Sequence, residues 1–304
     1  MIATARSLLS GAILSGTPLL YATIAEVIGE RAGIVNLGLE GVMLMGAVVG
    51  FIAMVETGSA ILAVVAAALA GALFNMVFAF LVITRRANQL ASGLALMFCG
   101  VGLSALVGGR YIGSQIAGLP EIALPLLGDL PLVGAVLFHH DALVHAAVPV
   151  AVLAWWVLFR TRWGLTLRAV GENPTAAFAA GKDPRLLQYQ ALFVAGLLGG
   201  IAGAHLSLGL ARTWAEWMTA GRGFVAVALV IFSKWQPLRA IAGALLFGGA
   251  ISLGLHMQAV GVSISPFLLD MLPYLLSLGV LAAWGGARRH AAPGSLGRVF
   301  QRSD

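Results

Sequence analysis

The sequence predicts an all-α integral membrane protein with about eight to ten membrane segments, some of them discontinuous. Of the 304 residues, 60% are hydrophobic and only 10% are charged, whereas soluble domains carry about a quarter charged residues. A spanning helix needs about 20 mostly apolar residues, and stretches of this kind recur from Leu8 to Trp284. We therefore expect residues 1–304 to form a single membrane domain without an appended soluble domain.

Nine apolar stretches are the candidate membrane segments. Several are too short to cross a bilayer alone, which predicts broken or re-entrant segments. They lie near residues 8–28, 41–56, 60–83, 91–109, 142–159, 187–210, 223–233, 240–256 and 270–284. The long polar connections are an external loop at 110–141, a cytoplasmic loop at 160–186 and a basic tail at 286–304. Three prolines in the external loop predict short structured pieces on the outer face.

The positions of Lys and Arg predict the orientation, because cytoplasmic loops are enriched in both. If loop 160–186 is cytoplasmic and the stretch 29–38 brings Arg31 to the same face, all but four of the 18 basic residues lie inside, and Arg6, Arg110, Arg212 and Arg222 lie outside. The N-terminus is then external and the C-terminus is cytoplasmic. The net charge of +6 accordingly indicates topology and contact with anionic membrane lipids, and not binding to nucleic acid.

The cytoplasmic loop contains a short amphipathic segment, GLTLRAVGENPTAAFAAGK, at residues 164–182. Asn173 can cap a helix and Pro174 suits the first helical position, while Gly181 is placed to end it. These residues predict a helix of about two turns on the cytoplasmic side. Such a helix can dock into a groove on a partner protein, or it can be an ordinary turn between membrane helices.

The segment RAVGENPTAAFAAG, residues 168–181, resembles the coupling loop of ATP-binding-cassette (ABC) permeases for simple sugars, nucleosides and branched-chain amino acids. Residues 17–47, 221–249 and 272–281 resemble the nucleoside branch of that family, and the likeness is collinear over most of 15–285. The charged run at 182–184 and Ser233 depart from the family pattern. The resemblance implies that the residues which couple the permease to an ATPase are Gly171, Glu172, Asn173, Pro174, Ala177, Ala180 and Gly181.

The resemblance also implies the function and the partners. The chain would be the permease of an importer in the cytoplasmic membrane of a bacterium or archaeon. Its substrates would be nucleosides or, as the second candidate, ribose-like sugars. Its partners would be an ABC ATPase, a second related permease and an extracytoplasmic substrate-binding protein. The chain contains no GxxxxGK[ST], GxSxG or HExxH motif. We therefore expect no enzyme activity, metal site or bound cofactor in this chain, and ATP would be used by the ATPase subunit.

Four polar residues within or beside apolar stretches are candidates for the translocation pathway: Glu26, Asn36, Glu40 and Asn75. An ionisable residue at membrane depth is costly and is retained for a reason, and the glycine-rich stretch 29–41 predicts a discontinuous helix. Several alternatives remain open. The acids can lie in a water-exposed turn or pair with Arg31, and Asn75 can be a contact between helices. A secondary transporter that uses Glu26 and Glu40 to bind ions is a rival function.

We also predict the exposure of two further polar stretches. Asn88 and Gln89 follow two arginines and are expected in an exposed loop. Arg212, Glu216 and Arg222 are expected on the outer face, where they can dock a binding protein by complementary charge or form a plain solvated loop.

Overall fold

The computed structural model describes residues 2–123, 134–261, 265, 268–269, 271–284 and 292–298. Within these ranges nearly all of the regular structure is helical. The helices are α1 (Ile2–Arg31), α2 (Leu39–Thr57), α3 (Ala60–Ala79), α4 (Gln89–Gly108), α5 (Gly134–Leu137), α6 (Ala142–Arg160), α7 (Arg162–Glu172), α8 (Pro174–Ala179), α9 (Pro184–Ala204), α10 (Arg222–Ser233), α11 (Pro237–Ala259) and α12 (Leu272–Trp284). Helices α3 and α9 continue as π-turns, Phe80–Thr84 and His205–Leu210.

The described residues contain seven helices that are long and apolar enough to cross a membrane. They are Arg6–Arg31, Leu39–Thr57, Ala60–Thr84, Gln89–Tyr111, Ala142–Arg160, Pro184–Leu210 and Pro237–Ala259. The predicted all-α polytopic membrane fold is thus confirmed. Helix α10 is apolar but has only 12 residues, so it is about 18 Å long and reaches across only part of a bilayer core of about 30 Å.

The external loop consists of short pieces where the structure describes it. A 3-10 turn at Gly109–Tyr111 is followed by an antiparallel pair of strands, β1 (Glu121–Ala123) and β2 (His139–Asp141). Residues 124–133 of this loop lie outside the described residues, as do 286–291 and 299–304 of the basic tail.

The centre of the molecule is built from α1, α2 and α9, which carry long runs of buried residues. Glycines let these helices approach at backbone distance: a Cβ atom on Gly200 would meet the carbonyl oxygen of Ala67, and one on Gly203 would meet that of Met43. Close packing through small residues is the usual way in which membrane helices associate. Large apolar side chains on α3, α4 and α6 are instead exposed, as expected for surfaces that face lipid.

The connections gather at two opposite ends of the helices. At one end, which we call the coupling end, Arg31 donates to the carbonyl oxygen of Trp235, and Gln89 donates to that of Arg298. At the other end, Ile116 donates its backbone N–H to the carbonyl oxygen of Arg212. The connections at the coupling end carry Lys and Arg residues that the charge distribution places on one side of the membrane.

Candidate functional site

The coupling loop folds as its local sequence predicts. The side chain of Asn173 accepts a hydrogen bond from the backbone N–H of Ala176 at 3.0 Å, and Pro174 is the first residue of α8. Gly181 has a φ of +77°, which favours glycine, and its N–H bonds to the carbonyl oxygen of Phe178 at 2.9 Å. The predicted short helix is confirmed: α8 spans six residues, Pro174–Ala179.

Exposure divides the predicted coupling residues into two groups. Gly171 and Ala177 are buried against the chain itself, whereas Glu172, Asn173, Ala180 and Gly181 are exposed and Pro174 is half-buried. Phe178 lies on the same helix and is 39% exposed, although the sequence analysis did not single it out. A large apolar side chain among alanines on a short exposed helix is the signal that would have identified it.

Three of the four candidate pathway residues form one buried cluster. The carboxylate of Glu26 accepts the backbone N–H of Asn36 at 2.8 Å, and the amide of Asn36 donates to Asn75 at 2.8 Å. Asn75 in turn donates to the carbonyl oxygen of Leu192 at 2.6 Å. The cluster closes the break between α1 and α2, where backbone groups lack helical partners and must be satisfied otherwise.

Glu40 lies apart from this cluster, at the N-terminus of α10. Its Oε1 accepts the hydroxyl of Thr219 at 2.5 Å and the N–H of Gly221 at 2.7 Å, and its Oε2 accepts the N–H of Gly223 at 2.6 Å. A carboxylate is favoured there by the unpaired N–H groups and the positive end of the helix dipole. Glu26 and Glu40 are 2% and 0% exposed, so the alternative of a water-exposed turn is wrong.

Arg31 is not the partner of either acid, because its guanidinium bonds to the carbonyl oxygen of Trp235 at 3.0 and 3.1 Å. The remaining alternative for the cluster is a purely structural contact between helices. Its geometry fits that alternative as well as a pathway that opens when the break moves, so the pathway role remains a prediction.

The loop before α10 differs from the expected external surface. Arg212 and Glu216 are exposed, but Trp214 is 1% exposed and Arg222 is the first residue of α10. Since α10 ends at the coupling end, its first residue lies about 18 Å from that end. The expectation that Arg222 belongs to the outer face is therefore wrong: the loop dips into the protein before α10 begins.

At the end opposite the coupling end, Asp141 joins β2 to α6 and α9. Its carboxylate lies 3.3 Å from Nε2 of His205 and accepts the N–H groups of Leu143 and Val144. Burial raises the pKa of Asp141, but His205 and the two N–H groups outweigh it and hold the pKa below its usual value. Asp141 is thus an ionised cap that fixes the ends of two membrane helices opposite the coupling end.

The comparisons with known proteins agree with this architecture. A family described as "Branched-chain amino acid transport system / permease component" matches residues 8–281. A putative glucose ABC transporter permease of Haloferax volcanii is 38% identical over 86% of this chain and 81% of its own length. A nucleoside ABC transporter permease of Lactococcus lactis is 34% identical over 94% of both chains, and a guanosine ABC transporter permease of Bacillus subtilis is 33% identical over 92% of both.

The match covers nearly all of the described helices, including α8 and the start of α10. Members of this family are membrane subunits that generally work with an ATPase and a substrate-binding protein, and they are not enzymes themselves. The chain belongs to the family of branched-chain amino acid transport system permease components, the membrane-embedded subunits of ABC transporters.

Proposed function

We propose that this chain is the permease of an ATP-driven importer for uncharged polar solutes, foremost nucleosides. One observation carries the choice of solute: the carboxylate of Glu40 occupies the N-terminus of α10. In transporters with discontinuous helices, such an N-terminus is where an anionic group of the substrate binds. Here Thr219, Gly221 and Gly223 already donate to Glu40, so these donors are not free to bind a solute carboxylate.

This observation favours nucleosides over amino acids, although the family description names amino acids. Two relatives, at 33% and 34% identity, are named as guanosine and nucleoside permeases, and these solutes are uncharged. Sugars are the second candidate, because the Haloferax relative at 38% identity is named as a putative glucose permease. The Glu40 geometry is equally compatible with a sugar, so only transport separates the two.

The proposed mechanism assigns no chemical step to this chain. ATP binding and hydrolysis occur in the ATPase, whose movement displaces α8 and its exposed residues. The permease has two states, closed and open to the cytoplasm, and the ATPase changes their relative populations. The Glu26–Asn36–Asn75 cluster and Glu40 are pathway residues in this proposal because they hold the two places where membrane helices break.

The proposed complex contains a second, related permease beside this chain, an ABC ATPase with two nucleotide sites, and an extracytoplasmic binding protein. It lies in the cytoplasmic membrane of a bacterium or archaeon, in contact with anionic lipids. The C-terminus is cytoplasmic in this proposal, because residues 292–298 contact the end of α7 beside the coupling loop.

The test is uptake by proteoliposomes that contain the purified complex and its binding protein. Labelled inosine, adenosine, ribose, glucose and leucine are each offered with internal ATP, with a non-hydrolysable ATP analogue, or with an ion gradient and no nucleotide. We expect ATP-dependent uptake of nucleosides. Uptake of ribose or glucose alone would favour the second candidate, uptake of leucine would contradict the Glu40 argument, and uptake driven by the gradient would favour a secondary transporter.

A further inference from the structure

Arg222 is a cation at membrane depth with an unsatisfied donor. Its Nη1 donates to the carbonyl oxygens of Met218 and Thr219, both at 3.1 Å. Its Nε is buried and has no hydrogen-bond partner among the described residues. Because a buried donor without an acceptor is costly and charged residues inside membranes are usually functional, this group requires a partner.

The backbone that leads to Arg222 is strained. Three non-glycine residues of this loop have positive φ angles: Arg212 at +55°, Trp217 at +57° and Ala220 at +46°. Such conformations cost about 1–3 kcal/mol each and concentrate at functional sites. The hydroxyl of Tyr274 donates to the carbonyl oxygen of Ala220 at 3.0 Å, so α12 helps to hold the loop in place.

Arg222 and Tyr274 border a cavity of about 300 Å³ between α10, α11 and α12, whose other walls include Val225, Ile251, Leu255 and Pro273. This size is at the lower end of the range for small-molecule sites. The walls are mostly apolar with one cation and one phenol, a composition that suits a flat ring with polar edges.

We propose that this cavity is a solute subsite in which Arg222 donates to a carbonyl oxygen of a nucleobase. Arginine has donors and no acceptor, so a solute group that meets the Arg222 guanidinium in this cavity must be an acceptor. The edge of hypoxanthine or guanine presents a carbonyl oxygen and a ring nitrogen, which match a guanidinium, whereas adenine has an amino donor in place of the carbonyl. The proposal rests on the proposed function and adds a preference among nucleosides.

The test compares inosine with adenosine in the reconstituted complex. We expect Arg222→Gln to raise the KM for inosine at least about tenfold and to change the KM for adenosine much less. If the Arg222→Gln variant fails to assemble, Arg222→Lys replaces it, because lysine keeps the charge beside Glu40. Arg212→Gln is the control, because Arg212 is exposed. Equal changes for both nucleosides, or no change, would overturn the subsite. Absence of nucleoside uptake by the wild-type complex would instead contradict the proposed function.

A different observation concerns the C-terminal segment 292–298, which joins two distant parts of the chain. Ser295 donates its N–H and its hydroxyl to the carbonyl oxygen of Gly171, at 2.9 and 2.6 Å. Gly297 donates to the carbonyl oxygen of Gly33 at 3.2 Å, and Gly294 donates to the carboxylate of Glu172 at 3.1 Å. The end of α7 is thereby bonded to the break after α1.

The connection continues through Gln89 into the membrane interior. Gln89 donates to the carbonyl oxygen of Arg298 at 3.3 Å and accepts the N–H of Val35 at 2.9 Å. It is 3% exposed, so the exposed loop expected for it is wrong. Val35 precedes Asn36, which belongs to the buried cluster. Hydrogen bonds and the short backbone segments 294–298 and 35–36 therefore connect the base of α8 to this cluster.

We infer that segment 292–298 transmits the movement of the coupling loop to the break between α1 and α2. Helix α8 begins two residues after Glu172, so a force on α8 displaces Gly171. Gly171 packs directly against the backbone of Arg31 and Gly33, and Ser295 and Gly297 bond it to Gly33. This role rests on the proposed function, because it requires an ATPase that pushes on α8.

The test measures ATP hydrolysis and solute uptake in the same preparation. For Ser295→Ala, and for a chain that ends at Ala291, we expect hydrolysis within about twofold of wild type and uptake lowered about fivefold, so more ATP is used per solute. Ser277→Ala is the control, because that hydroxyl bonds within α12 to the carbonyl oxygen of Pro273. A parallel fall in both activities, or no change, would overturn the inference. Wild-type complex that transports nothing would count against the proposed function instead.

Discussion

Two acidic residues of this protein, Glu172 and Glu40, have opposite surroundings. Glu172 is the last residue of the short helix α7, and Glu40 is the second residue of α2 with its carboxylate against the start of the short helix α10. Glu172 ends α7 beside the coupling helix, is exposed, and accepts one hydrogen bond among the described contacts, from Gly294. The carboxylate of Glu40 contacts the start of α10, is fully buried, and accepts three hydrogen bonds. An exposed acid on a short helix is available to a partner, whereas a buried acid with all donors supplied by its own chain holds the backbone in place.

The difference shows that an acidic residue near an apolar stretch has no single meaning. The coupling loop keeps its polar groups at the surface, so substitutions there should change transport more than stability. The start of α10 keeps them inside, so substitutions there should change both. The following predictions test this contrast.

The largest effect is expected for Glu40→Ala. It leaves the hydroxyl of Thr219 and the N–H groups of Gly221 and Gly223 without an acceptor in a buried position, each at a cost of about 1–3 kcal/mol. We expect thermal unfolding in detergent at a clearly lower temperature, together with loss of uptake. Glu56→Gln is the control, because Glu56 is exposed and accepts only from Tyr111 among the described contacts. Wild-type stability in Glu40→Ala would show that the hydrogen bonds at α10 contribute little.

The second-largest effect is expected on uptake, for two substitutions at the coupling loop. Glu172→Arg and Pro174→Ala change exposed or half-buried positions, which usually alters stability by no more than about 0.5 kcal/mol. We expect both variants to insert normally into the membrane and to lose at least about four-fifths of ATP-dependent uptake. Uptake equal to wild type in both variants would rule out α8 as the coupling helix. Glu172 would then no longer be an exposed acid that serves a partner, in contrast to the buried Glu40.

The smallest effect is expected for Phe178→Ala. A large apolar side chain at the centre of an interface typically contributes more than about 1 kcal/mol to binding, while removal of an exposed one changes folding little. We expect the permease to bind the ATPase several-fold more weakly, as measured by biolayer interferometry in detergent, with an unchanged unfolding temperature. Leu165→Ala is the matched control, since Leu165 is 61% exposed on α7. Equal affinity in both variants would place the ATPase contact elsewhere.

Hydropathy predicted the membrane helices because a chain in lipid must satisfy its backbone hydrogen bonds within each helix. The positions of α1 to α4, α6, α9, α10, α11 and α12 follow the apolar stretches closely. Helix α8 could also be predicted from the sequence, since Asn173, Pro174 and Gly181 act on neighbouring backbone groups. Glu26 and Glu40 could also be identified from the sequence, because a charged residue next to an apolar stretch is rare.

The contacts between these elements were not accessible from the sequence, because hydropathy carries no information on the rotation of a helix or on its partners. Arg222 was placed outside because a count of spans assumes that each one crosses the bilayer completely, whereas α10 begins inside the protein. Gln89 was placed in water because two arginines precede it, whereas its side chain is buried and bonds to the backbone of Val35 and Arg298.

By itself, the sequence determined that this protein is a polytopic helical membrane protein with a capped short helix in the loop 160–186, since both properties depend on local composition and on neighbouring residues. Only the tertiary structure decided that Glu26, Asn36 and Asn75 share one cluster, that Glu40 occupies the start of α10, and that Ser295 joins Gly171 to the break at Gly33. Each of these contacts connects residues that are distant in the chain, and their geometry depends on how whole helices pack against one another.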